Sequence, residues 1–215
     1  MTADHYFITP TGPEERRRIQ ARIWARDYEF TTANGVFSAE RLDLATGVLL
    51  RTIDPPTEEI TRVADLGCGW GPIAVALAVE CPWLRVDAID VNERALALTR
   101  LNAAAYGVAD RVRTLTPDQV EPDATYDEIW SNPPIRIGKD ALHTLLLEWL
   151  DRLTPQGRAV LVVGRNLGAD SLQRWLDEHG WDTERIASAK GFRVFSSTRA
   201  LPPGTDEVPQ DDESD

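Results

Sequence analysis

Polar and apolar positions change rhythm along the chain. Thr11-Gly12-Pro13-Glu14 has the spacing of a capping box, with a proline and two acids in the first turn, and predicts a helix running to about Arg26. Arg18, Arg22 and Arg26 would then share one face at successive i, i+4 positions, with Arg16 and Arg17 beside them. Residues 28–38 read as extended, broken by the tight-turn dipeptide Asn34-Gly35. Leu42, Ala45 and Leu49 recur with helical period, so a second helix is expected over 39–51, capped by Ser38 and closed by Asp54-Pro55-Pro56. This lead-in is too short to bury a core alone and must pack on the rest of the chain.

From Arg62 onward, short apolar runs alternate with helical segments, the pattern of a parallel sheet wound on both faces. Strands are expected at 63–66, 85–90, 111–115, 127–131 and 158–163, with two last ones at 182–187 and 192–197. Helices are expected at 72–80, 93–106, 140–153 and 170–179. Pro72 opens the first of these, and Gly107 and Gly180 close the second and fourth.

A chain of 215 residues, 42% hydrophobic, has room for one generous core. It contains no apolar stretch of membrane-spanning length, and its first residues lack the basic-then-apolar order of a signal peptide, so a cytoplasmic protein with no membrane partner is expected. Cys68 and Cys81 have no framework spacing and are read as free thiols; His5, His143 and His179 have no ligand spacing, so no metal is expected. The net charge of −12 argues against a generic nucleic-acid binder. Six acids and no Lys or Arg fall within 204–215, which leaves −6 for the rest and marks 201–215 as an acidic, disordered, solubilising tail. The arginine stripe has two readings, a grip for phosphates or a solvated face balanced by Glu14, Glu15 and Asp27.

The strongest chemical signal is Asp65-Leu66-Gly67-Cys68-Gly69-Trp70-Gly71, a glycine loop between a strand and a helix. Its glycines let the backbone turn sharply and approach a bound nucleoside at the carboxyl end of a sheet. Gly71 follows Gly69 by two residues where a dinucleotide fingerprint needs three, and no Gly-x4-Gly-Lys-Ser/Thr loop exists, which counts against NAD and ATP. Asp90 ends the next strand, 23 residues after Gly67, where a carboxylate can accept both ribose hydroxyls. Asp118, after the third strand, is either an acceptor for an adenine amine or a turn residue prompted by Pro117. Asn132-Pro133-Pro134-Ile135 follows the fourth strand as a rigid turn that carries one primary amide, a device for holding an exocyclic amino group.

Together, Asp65 to Gly71, Asp90 and Asn132 to Ile135 resemble the class I S-adenosylmethionine-dependent methyltransferases, in particular those acting on planar amino nitrogens. Thr32 to Ser38, Ser131 to Lys139 and Lys190 to Val194 narrow the resemblance to the small-methyltransferase-domain family that includes guanine-N2 methyltransferases of small-subunit ribosomal RNA. The resemblance implies an α/β, Rossmann-like fold: a mostly parallel seven-stranded sheet with helices on both faces and an antiparallel last strand, preceded by N-terminal lead-in helices. Residues 1–60 would be the lead-in and 61–200 the methyltransferase domain. Asp65, Gly67, Cys68, Gly69, Gly71, Asp90, Val91, Asp118 and Asn132 would bind S-adenosylmethionine. Ribosomal RNA enzymes of this family carry a further degenerate domain before the catalytic one, for which 215 residues leave no room.

An exocyclic amine is a poor nucleophile because its lone pair is delocalised into the ring. With the Asn132 side-chain oxygen and the Pro133 carbonyl accepting its protons, electron density stays on nitrogen and no strong base is needed. Pro134 and Ile135 would line the target base; Ile135 stands where many relatives have a stacking Tyr or Phe, so Phe37 is the stacking candidate, with core packing its competing reading. A base inside a duplex cannot reach the turn, so a looped or flipped nucleotide in RNA is expected. Arg136 and Lys139 would steady its phosphates, with Lys190, Arg193 and the arginine stripe as a wider basic rim. The expected activity is methylation of guanine N2 in ribosomal RNA. The alternatives are a protein glutamine N5-methyltransferase and a non-catalytic nucleotide or RNA-binding module.

Overall fold

The computed structural model describes residues 9–200; His5 and the acidic tail expected at 201–215 lie outside them. Near the start, Ile19, Ala21 and Ile23 are buried while Arg18, Gln20 and Arg22 face out, a period of two. The segment is accordingly a strand, β1 (Arg16–Ile23), paired antiparallel with β2 (Arg26–Ala33), in place of the expected helix. Burial of Ile19, Ala21, Ile23, Tyr28 and Phe30 against the main core outweighs the helical spacing of the arginines. The arginine stripe does not form. Arg22 pairs with Asp27 directly across the hairpin at 2.9 Å, Arg18 with Glu29 at 3.1 Å and Arg26 with Glu80 at 2.8 Å.

The next helix, α1 (Leu44–Thr52), starts five residues later than expected. Asp43 caps it, accepting the Ala45 and Thr46 amides, whereas Ser38 sits in the preceding loop at φ 52°.

The remaining strands are β3 (Arg62–Leu66), β4 (Arg85–Ile89), β5 (Val112–Leu115), β6 (Tyr126–Ser131), β7 (Leu153–Gly164), β8 (Trp181–Ala189) and β9 (Phe192–Arg199). They form one seven-stranded sheet in the order β5-β4-β3-β6-β7-β9-β8. All pairs from β5 to β7 are parallel, and β9 inserts antiparallel between β7 and β8. The intervening helices are α2 (Pro72–Glu80), α3 (Glu93–Ala105), α4 (Lys139–Leu150) and α5 (Ala169–Glu178). The helix expected over 140–153 is corrected at its end: α4 stops at Leu150 and β7 already begins at Leu153.

β7 shows how the sheet is covered on both faces. Val160 and Val162 belong to a core shared with the hairpin, α1, α2 and α3, whereas Ala159, Leu161 and Val163 belong to one shared with α4 and α5. The lead-in thus packs into the same core as the sheet. The strand order reverses between β3 and β6, which opens a crevice at their carboxyl ends.

Candidate active site

The glycine loop follows β3 into this crevice. The Gly67 and Cys68 amides both donate to Ile89 O at 2.9 Å, which draws the loop over the end of β4. Its three glycines have different reasons. A Cβ at Gly71, φ 85°, would lie 2.8 Å from the Thr99 side chain, so this glycine lets α3 approach the loop. Gly67 and Gly69, at φ 76° and 57°, have open space where a Cβ would project, the cradle a nucleoside cofactor needs. Behind them Asp65 is fully buried and accepts the Ala74 amide at 2.9 Å. Burial pushes its carboxyl up to about 8, and its Oδ1 has no partner among the described residues.

Asp90, at the end of β4, receives the Gly69 amide on Oδ2 and the Asn92 amide on Oδ1, both at 2.9 Å. It therefore braces the loop while its carboxylate keeps accepting capacity for a ligand. Burial raises its carboxyl above the ordinary value, opposed by the Asn92, Gly69 and Val91 amides. Val91 beside it is half exposed. Asp118 is exposed on a 3-10 turn (Pro117–Gln119) beyond β5, one strand further out. Cys68 turns its thiol inward toward Thr99 Oγ1, where burial raises its pKa.

A cleft gathers Phe37, Asp43, Thr46, Gly67, Gly69 and Asn132. Phe37, half exposed, arrives there because its loop is pinned at two points. Asn92 Nδ2 donates to Gly35 O at 2.8 Å, and Trp70 Nε1 to Ser38 O at 3.3 Å. Arg94 adds bonds to Asn34 O and Gly12 O, fastening the lead-in to the first turn of α3.

Asn132 enters one residue past β6, the strand next to β3. Its Nδ2 donates to Asp43 Oδ1 at 2.8 Å and to Thr46 Oγ1 at 3.1 Å. A carboxylate only accepts, so the amide orientation follows: nitrogen toward α1, Oδ1 left to accept. Pro134 has φ −75° and ψ 67°, an inverse γ-turn in which the Ile135 amide donates to Pro133 O at 2.8 Å. One lone pair of the Pro133 carbonyl is thereby used and one remains. Ile135 and Ile137 pack partly against the core around α4, while Arg136 and Lys139 are exposed. Asp43 and Thr46 are site residues that the sequence does not announce. Asp43 carries a cap signal, but its pairing with Asn132 spans 89 residues.

A larger cleft opens at the opposite edge of the sheet. Its Arg62 and Arg113 converge on buried Asp87 at 3.0 and 2.7 Å, with the Tyr126 hydroxyl at 3.0 Å; this is a structural ion network remote from the glycine loop. Among the described residues no cluster of His, Cys, Asp or Glu is arranged to hold a metal, and no helix is long and apolar enough to cross a membrane.

Sheet order, glycine cradle and Asn-Pro-Pro turn together define a class I methyltransferase fold. The chain belongs to the methyltransferase small domain family, whose model matches residues 27–196. It is 37% identical to the ribosomal RNA small subunit methyltransferase C of Shewanella loihica over 86% of this chain and 56% of that one. It is 29% identical to the uncharacterized protein YbxB of Bacillus subtilis over 93% of this chain and all of that one. A solved T. thermophilus 16S rRNA N2 methyltransferase, RsmC, in complex with AdoMet and guanosine has the same fold, with TM-score 0.71 and 23% identity over 88% of this chain and 52% of that one. The chain thus spans about half the length of the ribosomal RNA methyltransferases it matches.

Proposed function

We propose that the protein is an S-adenosylmethionine-dependent methyltransferase acting on the exocyclic N2 of guanine in ribosomal RNA. The observation that carries the reading is the fixed orientation of the Asn132 amide, whose nitrogen is occupied by Asp43 and Thr46. Asn132 Oδ1 and the remaining lone pair of Pro133 O then accept the two protons of the target amine. This keeps the amine's electron density on nitrogen and holds it in a single orientation. The cofactor supplies an already electrophilic methyl group, so the chain's work is alignment rather than strong base catalysis.

Gly67 and Gly69 would admit the cofactor's backbone-facing side, Asp90 its ribose, Val91 and Asp118 its base. Phe37 would stack on the target guanine, with Pro134 and Ile135 beneath it and Arg136 and Lys139 on the neighbouring phosphates. The name of the Shewanella relative supports RNA as the substrate class.

The test is to incubate the purified protein with methyl-labelled cofactor and total RNA or cell extract, then to digest and identify the labelled product. Label in N2-methylguanosine is the expected result. Label in glutamine, or RNA binding without any transfer, would overturn the reading.

A further inference from the structure

β7 runs three residues further than its neighbour β6 before it ends. Ser131 is level with Leu161, so Asn132 is level with residue 162, and Arg165 stands roughly 10 Å above it at about 3.3 Å per residue. At that height is a 3-10 turn, Arg165–Leu167, of which every side chain is exposed. It is nevertheless held firmly. The Arg165 amide donates to Gly191 O at 2.8 Å, and a Cβ at Gly164 would meet the Leu167 side chain at 3.1 Å. The Gly191 it leans on belongs to the β8–β9 hairpin turn, whose other central residue is Lys190. Lys190 adopts φ 50° and Gly191 φ 81°, a pairing for which Asn-Gly is the unstrained choice. A lysine in the left-handed region is a rare and strained placement.

Two cations and an apolar side chain are thus set together on rigid backbone beside the Asn132 turn. Neither Arg165 nor Lys190 has an ion pair among the described residues, and the next acid along the chain, Asp170, is engaged by Arg193. In the β1–β2 hairpin, by contrast, Arg16, Arg17, Arg18, Arg22 and Arg26 are all paired with carboxylates. Leu167, 55% exposed, is the most exposed large apolar residue described. Unpaired cations flanking an exposed apolar group suit a sugar–phosphate backbone, with charge for phosphate and apolar surface for ribose.

We infer that the Arg165–Leu167 turn and Lys190 form a clamp for the RNA backbone adjoining the target guanine. The inference rests on RNA being the substrate. The phosphates lie beyond the base held at Asn132, on the same carboxyl edge of the sheet, and Arg165 and Lys190 meet them there as unpaired donors.

The test compares the wild type, Arg165→Gln/Lys190→Gln and a charge-matched control, Arg18→Gln/Arg22→Gln, by methyl transfer to naked small-subunit RNA over a range of salt. For the clamp double variant, KM for RNA is expected to rise about tenfold with kcat and cofactor Kd unchanged, and the slope of log KM against log salt to fall by about 1.4, the value for two single-strand phosphate contacts. The control is expected to match the wild type. Lys190→Gly is expected to raise Tm, because the turn is relieved, while still raising KM for RNA about threefold, a combination that a purely structural lysine would not give. An unchanged KM and salt slope in the clamp variant, or an equal loss in the control, would overturn the clamp while leaving the proposed reaction standing. No transfer to RNA by the wild type would overturn both.

Discussion

Asn132 Nδ2 lies 2.8 Å from Asp43 Oδ1, and the same carboxylate oxygen accepts the Ala45 and Thr46 amides that open α1. One acid therefore caps a helix and sets the orientation of the amide offered to substrate. Asp43→Ala is expected to cost about 1 kcal/mol of stability through loss of the cap. It is also expected to slow methyl transfer by about tenfold to a hundredfold, since the freed amide can rotate. Cofactor affinity should stay within about threefold. Asp43→Asn keeps an acceptor oxygen and should recover most of the stability. Thermal denaturation and single-turnover transfer measured on both variants separate the two duties; equal turnover in wild type and Asp43→Ala would remove the positioning role.

Asn132→Ala removes the acceptor itself. Transfer is expected to fall about a hundredfold or more, with cofactor Kd within a few-fold by calorimetry. Asn132→Asp is the sharper probe. It sets a carboxylate about 2.8 Å from that of Asp43, where the two resist simultaneous ionisation and one pKa must rise. Measured against the wild type at each pH, this variant should lose thermal stability as pH rises through the weakly acidic range, a growing deficit the Ala variant should not show. Full turnover in the Ala variant would sink the proposed chemistry.

Asp90 is placed to act on the cofactor both directly and through the loop it braces. Asp90→Ala frees the Gly69 and Asn92 amides and removes a charged acceptor. A loss in cofactor affinity on the order of 1.5–3 kcal/mol is expected by titration calorimetry. Unchanged affinity would take Asp90 out of the site.

Asp87 offers a control at the other edge of the sheet. Burial opposes its charge, but bonds from Arg113, Arg62 and Tyr126 outweigh that and hold its carboxyl below the ordinary value. A depressed folded pKa means stability that is present above the unfolded value and lost as pH falls through the folded one. Asp87→Asn should therefore lower Tm near neutral pH, by an amount equivalent to about 1–3 kcal/mol, with the gap to wild type closing below about pH 4. Methyl transfer at a permissive temperature should be unaffected. A turnover defect without a stability defect would contradict the separation of the two edges.

The α/β core is legible in the sequence because its signals are local. Pro72 at the start of a helix, Gly107 after one, and Asp65 to Gly71 between strand and helix each carry their own backbone reason. The β1–β2 hairpin is hidden because two periods coexist there. Arginines at i, i+4 speak for a helix, while Ile19, Ala21 and Ile23 alternate with polar residues, and the turn between the strands has Trp24 at φ 50° where Gly or Asn would have announced it. Trp24 is held there by an indole bond to Ile53 O at 2.9 Å, a contact no local pattern encodes. The late start of α1 has the same kind of cause: Ser38 and Asp43 are both capable caps, and the requirement of Asn132 for an acceptor is met only in three dimensions. Glycine loop and Asn-Pro-Pro turn are readable as candidates; the acid that orients the amide is not.

Asp65 gives the last prediction. Burial raises its carboxyl to about 8, with Asp90 adding to the rise and the Ala74 amide opposing it. An acid whose folded pKa lies above its unfolded value near 3.8 favours the folded state most when protonated. The folded protein holds that proton over a range in which the unfolded chain has released it, so this contribution declines from about pH 4 to about pH 8 and is gone above. Asp65→Asn imitates the neutral acid: its oxygen can accept the Ala74 amide, and its NH2 stands where the protonated acid would carry its O–H. The variant should therefore match the wild type near pH 4 and exceed it in Tm by a margin that grows toward pH 8. Melting curves of the two proteins at unit steps of pH provide the measurement, and a difference that stays constant across that window would show that Asp65 is ionised within the fold throughout.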